Sequence, residues 1–316
     1  MITLRFRFAK YGAMKYLGHL DLLRYFQKAV RRAEIPVAYS AGFSPHQIMS
    51  FAMPLSVGLT SEGEYFDVGL ERKAAAVLDN STSLQVSAAD ENMDSKDAGV
   101  STDMTGIDRN NNSSTDGAGA SPLASAAPCL KTAEEYRAAL QAAMVDGIEV
   151  LSAGYLPEGG KKAMAEVAAA GYIIYYKSLF PDKSPDEIAG IFQNAPAIPV
   201  TKKTKRGERE LDLKQLVYRF EAGTFSDHTF EEHPCLDRNP DFVMADGDPF
   251  FYALVNSSSG DNVRPEFLLK ALTGTDFEAD GYLNLGVHRT DLFTGSPEEG
   301  FVSLAEGGLE AAPEVQ

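Results

Sequence analysis

One stretch of this chain cannot contribute to a core, and it limits everything around it. From Met93 to Pro122 the sequence reads MDSKDAGVSTDMTGIDRNNNSSTDGAGASP. It is dense in Ser, Asp, Asn, Gly and Thr, and the same bias extends over residues 78–130. So few large apolar side chains cannot offset the entropy of ordering the backbone. The sequence is therefore expected to fold as separate blocks. Residues 1–77 form an N-terminal half, 78–130 a disordered insertion, 131–274 a second half, and 275–316 an acidic C-terminal extension that frays.

The first block opens on ITLRFRFA, where Ile2, Leu4, Phe6 and Phe8 alternate with Thr3, Arg5 and Arg7. Period-two alternation predicts a half-buried strand. A helix is expected from about His19 to Glu34. Its apolar residues Leu22, Leu23, Phe26, Ala29, Val30 and Ala33 form one stripe, and Pro36 stops it. Two or three strands follow, in PVAYS, QIMSFAMPLSVGL and EYFDVGLE.

The second block begins with Thr132 three residues before Glu135, the pattern of a capping box. It continues with strands near 147–153 and 172–176, and a short helix capped by Ser184 with Pro185 at its first position. A hairpin turning near Arg206-Gly207 comes next, then a strand in FFYALVNSSS and a helix closed by Gly274. Residues 222–249, acidic and turn-rich, read as an inserted loop. Both blocks give β, α, β, β. The expected fold class is α+β, with two ferredoxin-like halves built on antiparallel sheets, in tandem or merged into one sheet.

Charge is distributed unevenly. The chain carries a net −16, which argues against uniform binding along nucleic acid. Residues 1–72 hold nine basic and six acidic side chains, and residues 201–219 hold seven and three. From 221 onward there are four basic and nineteen acidic residues. The two basic segments could meet RNA phosphates. No apolar run reaches the ~18 residues of a membrane span. No secretory leader is visible, and a cytoplasmic location is expected.

Chemistry-bearing motifs are sparse. Cys129 and Cys235 are the only cysteines, too few for an iron–sulfur cluster. There is no phosphate-binding loop and no nucleophile elbow. His228, His233 and Cys235 are ligand types at a spacing that fits no zinc pattern, so no metal and no cofactor are expected. The candidate residues lie in the first block, and most form a gripping surface for a ligand or partner. His19 and Asp21 start the basic helix that carries Arg24, Arg31 and Arg32; Asp21 also suits the helix dipole. Tyr39, Ser40, Phe43 and His46 are the side chains that the YSAGFSPH turn presents. Glu64 joins His19 and His46 in an alternative reading as an enzyme in its own right. No catalytic residue can be assigned.

Several pieces occur in order at close spacing: HLD at His19–Asp21, RRA at Arg31–Ala33, YSAGFSPH at Tyr39–His46, PLSVG at Pro54–Gly58 and SEGEY at Ser61–Tyr65. With TKKTKRGERELDL and VRPEFLLKAL further on, they resemble the radical-SAM-linked protein family, a bacterial domain of unknown function. The resemblance spans roughly 1–72 and 131–274. Gln47 stands where a Pro is commoner, and the 78–130 insertion is unusually long. Members are fused to a radical SAM protein or encoded beside one. The resemblance thus implies a radical SAM partner, and a chain with no cluster of its own would be its non-catalytic, substrate-presenting companion.

Overall fold

Ile2–Lys10 forms β1, as its alternation predicts, and it buries Leu4, Phe6 and Phe8 completely. The computed structural model describes residues 1–71, 130–176, 183–204, 207–238, 244–275 and 285–312. All but Leu130 of the expected 78–130 insertion lies outside them.

After β1 come a 3-10 turn at Gly12–Tyr16, α1 (His19–Arg32), β2 (Met49–Phe51) and β3 (Thr60–Leu70). Beyond the insertion follow α2 (Ala133–Gln141), β4 (Ile148–Tyr155), α3 (Ala163–Glu166), β5 (Ala169–Tyr176) and α4 (Pro185–Asn194). Next are β6 (Pro199–Thr204), β7 (Gly207–Asp212), α5 (Leu213–Leu216), β8 (Val217–Thr224), α6 (Asp227–Glu232) and α7 (Pro234–Asp237). The chain closes with β9 (Pro249–Asn256), α8 (Pro265–Thr273), β10 (Leu285–Ser296) and β11 (Gly300–Ser303). The expected caps form: Thr132 with Glu135 and Ser184 with Glu187 are reciprocal capping boxes, and Gly274 ends α8 in the left-handed conformation.

A mixed α/β architecture results, dominated by one large, mostly antiparallel sheet. Its order is β4-β1-β3-β10-β5-β9-β8, with β2 added on β3 and β11 on β10. β6 and β7 form a separate hairpin. The order contains a repetition. β1-α1-β2-β3-α2-β4 and β5-α4-β8-β9-α8-β10 follow the same succession. In each, neighbours stand fourth, first, third, second: β4-β1-β3-β2, then β10-β5-β9-β8. Every pairing within each set is antiparallel. The sheet splits the expected 131–274 half, because α2 and β4 complete the first set.

The two sets join where β3 meets β10 in parallel, at Thr60 with His288 and Ser61 with Arg289. One apolar core lies under α1 and α2, with Phe6, Phe8, Phe26 and Phe66 at its centre. A second holds Tyr172, Ile174, Phe220 and Leu268 against α4 and α8. Ile173 and Tyr175, next door on β5, belong to a third cluster with Phe225 and Leu236 on the opposite face. The α6–α7 segment covers that face. No helix among the described residues is long and apolar enough to cross a membrane.

Residues expected to fray supply a central strand instead. β10 buries His288, Arg289, Thr290 and Asp291, so its interior residues are polar and its sequence lacks apolar alternation. Burial is tolerated because the neighbouring strand supplies the partners.

Gly63 sets how closely the sets can join. A Cβ there would stand 2.4 Å from Asp291 Cα and 2.7 Å from its backbone nitrogen. Backbone cannot yield as a side-chain tip can, so Gly63→Ala should cost about 2 kcal/mol or more of unfolding free energy, measured by urea titration. Gly190→Ala in α4, where nothing lies within 4 Å of the new methyl, should instead stabilise by about 0.5–1 kcal/mol.

Candidate functional site

The structure separates most of the sequence-predicted residues. On α1, Leu22, Phe26, Ala29 and Val30 are buried, which leaves Arg24, Arg31 and Arg32 on the exposed side. Asp21 pairs with Arg24 at 3.5 Å in the open. Arg31 Nε donates to the Gln27 carbonyl at 3.2 Å. Arg32 Nη2 donates to the Ala143 carbonyl at 2.8 Å and ties α1 to the α2–β4 connection. In the turn, Ser40 Oγ and His46 Nδ1 share a hydrogen bond at 2.8 Å, and the His46 backbone N–H also donates to Ser40 at 3.1 Å. His46 therefore closes its own loop. Tyr39 bridges to Gln47 through the backbone, and Phe43 is fully exposed. In the second basic segment, three described side chains are engaged within the protein. Lys202 donates to the Asn262 carbonyl at 2.8 Å, Arg209 pairs with Asp261 at 2.6 Å, and Lys214 donates to the Phe192 carbonyl at 2.6 Å.

Two candidates do meet. His19 and Glu64 line one small cavity with Lys10, Leu17, Phe51 and Pro54, of about 10 Å³, room for a single water. The His19 ring stands edge-on to Phe51 at 5.6 Å. Glu64 is spent on a buried ion pair with Arg289, whose Nη2 also donates to the Met53 carbonyl at 3.0 Å. Burial lowers the pKa of Lys10 beside them, against the pull of Glu64. This cluster clamps the two sets together on the side of α1 and α8.

A larger cavity, about 560 Å³, opens at the same junction. Arg7, Glu62, Ile173, Arg219, Glu221, His233, Phe250, Tyr252, Asp291 and Phe293 are among its walls. Its floor is the sheet face opposite α4 and α8, and Thr229, Glu232 and His233 close it from the α6–α7 segment. β3 delivers Glu62, β10 delivers Asp291, and the kink between α6 and α7 delivers His233. Pro234 starts α7 at once and fixes that kink.

His233 Nδ1–H donates to Glu62 Oε1, and His288 Nε2 lies 3.9 Å from the same oxygen. Burial would raise the Glu62 pKa. The hydrogen bond from His233 and the nearby His288 ring outweigh it and bring the carboxyl down to about 2. Burial holds His288 below its ordinary pKa, with Glu62 opposing, so the ring is neutral. It also shares a 2.9 Å hydrogen bond with Thr60. Asp291 accepts from Tyr65 OH and, at 2.7 Å, from Ser303 Oγ. Arg7 stands between the two carboxylates. Its Nε donates to the Glu62 carbonyl at 2.9 Å, and Nη2 lies 3.7 Å from Asp291.

The H-x4-H-x-C run thus serves the sheet. His228 is exposed beside Glu232 at 3.5 Å, and His233 turns to Glu62. Cys235 is buried; burial, then Glu62 and Glu149, push its thiol up to about 12, so it is no nucleophile at neutral pH. Among the described residues no group of three or more His, Cys, Asp or Glu is arranged to hold a metal ion. Chemically, the site offers a fixed carboxylate–imidazole pair. With Nδ1 donating, a neutral His233 ring keeps Nε2 as an acceptor. Sequence reading noticed His233 only as a metal ligand type and missed Glu62, His288 and Asp291 as a site. The one available signal was SEGEY, where two acids flank a glycine inside a strand that had to be buried.

The Glu62 shift has a definite sign. A folded pKa of about 2 against an ordinary 4.5 gives stability that is complete above about pH 4.5 and is lost as pH falls toward 2. The amount is on the order of 3 kcal/mol. His288 adds a loss below its ordinary 6.5, because the unfolded state takes up the proton first. Unfolding titrations should therefore give a free energy that falls from pH 6.5 downward. Glu62→Gln should flatten the limb below 4.5 and leave the upper one sloping; parallel curves for both proteins would contradict the assignment.

No curated protein matches the chain significantly. A family model does, over residues 3–89 and 127–265, well over half of the sequence. Its description names a conserved bacterial domain and gives no activity, ligand or partner. The match spans β1 to β9 and includes Glu62 and His233 of the cavity wall. The chain belongs to the family described as "Uncharacterized protein conserved in bacteria (DUF2344)".

Proposed function

We propose that the protein is a non-catalytic binding module that holds a small polar molecule in the junction cavity and presents it to a separately encoded enzyme. The observation that carries this reading is the cavity's construction. Three distant parts of the chain bring Glu62, Asp291 and His233 to one 560 Å³ space, a size typical of small-molecule sites. Support for a non-catalytic role comes from how the reactive groups are spent. Glu62 is held by His233, Asp291 by Tyr65 and Ser303, and the Cys235 thiol stays protonated.

The resemblance of the SEGEY and YSAGFSPH pieces to the radical-SAM-linked family supports a radical SAM enzyme as the recipient. It also favours a cytoplasmic, bacterial setting. The repeated element and strand orders support reading both sets as ferredoxin-like units fused through β3 and β10. A second reading, RNA as partner, is favoured by Arg24, Lys28 and Arg31, exposed along α1. An enzyme built on residues 39–64 with His19 and His46 has less support, because His46 is bonded to Ser40 and the His19 cavity admits only a water.

Native mass spectrometry of protein isolated from its own host should show a bound small molecule that denaturation releases. Thr229→Trp, which fills the cavity from α6, should remove that mass and leave the melting temperature within a few degrees. Unliganded wild type, or a bound mass indifferent to Thr229→Trp, would count against the reading.

A further inference from the structure

The cavity wall is unbalanced in charge and already contains a model of what it would bind. Glu62, Glu221, Glu232 and Asp291 face Arg7, Arg219 and His233. The Glu62 and Asp291 carboxyl groups are buried in the wall, at 3% and 8% exposure. Arg7 is committed between them, with hydrogen bonds to the Glu62 and Thr290 carbonyls at 2.9 and 3.1 Å.

Across the cavity runs β8, the edge strand of the sheet. Arg219 and Glu221 are two residues apart on it and share a face. The Arg219 guanidinium lies over the Tyr252 ring, 5.1 Å from its centroid, and Nη2 donates to Glu221 at 2.7 Å. Glu221 is the residue directly opposite Tyr252 in the β8–β9 ladder. An aromatic face with a carboxylate beside it recognises an organic cation. Here the protein's own side chain fills the position. That side chain is 58% exposed and held by an open ion pair and the Tyr252 ring face, both weak in the presence of water, so it can swing out. Ile173, Phe250 and Phe293 continue the wall as apolar surface, which suits an alkyl stem behind the charge.

We infer that the junction cavity takes an organic cation, a primary amine or guanidine on a short alkyl chain, whose charged end replaces the Arg219 guanidinium over Tyr252 and beside Glu221. This rests on the cavity being a binding site, as proposed above. A free amine and the basic side chain of a peptide share this chemistry.

Isothermal titration of the full chain tests it, with agmatine, the tripeptide Gly-Arg-Gly, the neutral isostere butylurea, and inorganic phosphate. Agmatine is expected to bind one to one, and butylurea and phosphate to give no heat. Binding of agmatine alone identifies a free amine, and equal binding of the tripeptide a peptide side chain. Arg219→Ala, which removes the internal competitor, should tighten agmatine binding about tenfold. Glu221→Gln should weaken it by at least as much. Both side chains are exposed, so unchanged melting curves will show that the variants fold. Weaker agmatine binding in Arg219→Ala overturns the inference, as does phosphate binding that this variant abolishes; the latter leaves the cavity a binding site. No heat from agmatine or the tripeptide in either wild type or Arg219→Ala also overturns it, and the native mass measurement then decides the broader reading separately.

Discussion

The parallel contact between β3 and β10 is the constraint on which the rest of this molecule depends. It is short, two residue pairs in register, and it joins two sets of strands that are otherwise antiparallel throughout. Few backbone hydrogen bonds hold it, so side chains must. Ser61 Oγ donates to the Arg289 carbonyl at 3.1 Å, and Arg7 Nη2 reaches the Thr290 carbonyl at 3.1 Å. Gly63 lets the two backbones approach as no residue with a Cβ could.

The same contact explains why charge is buried on both faces of the sheet. Toward the helices of the two cores, Glu64 pairs with Arg289 beside Lys10. On the other face, Glu62 pairs with His233 beside His288. Desolvation offsets much of the attraction in each cluster, although at Glu62 the contact with His233 still outweighs it, as the lowered pKa shows. What each provides is specificity of assembly. Removing one partner would strand a buried charge at a cost of several kcal/mol, so misregistered joining of β3 and β10 is disfavoured. The cavity belongs to the same arrangement: polar residues of β3 and β10 meet, and α6 and α7 roof them without filling the space.

Local patterns were legible in the sequence and distant ones were not. The β1 alternation, the α1 stripe, the capping boxes at Thr132 and Ser184 and the αL glycine after α8 each depend on residues a few positions apart. Each could be read directly. β10 could not, because its buried residues are His288, Arg289, Thr290 and Asp291, and most of their partners are far away in the chain, such as Glu64, and Tyr65, 226 positions from Asp291. His233 misled for the same reason. Its neighbours His228 and Cys235 suggested a metal, whereas its partner Glu62 is 171 positions away. Arg24, Arg31, Arg32, Tyr39, Phe43 and His46 are exposed on the surface, and the cavity lies elsewhere. Only Glu64, through its neighbour Glu62, pointed toward it.

At the centre of the account is the His233–Glu62 contact, which fixes the roof of the cavity to the strand that forms its wall. Long-range proton–nitrogen correlation spectra of the histidine rings observe it directly at neutral pH. A slowly exchanging proton is predicted on His233 Nδ1 that is lost in Glu62→Ala, which removes the acceptor. An Nδ1 without a proton, or a solvent-averaged ring unaffected by that substitution, would contradict it.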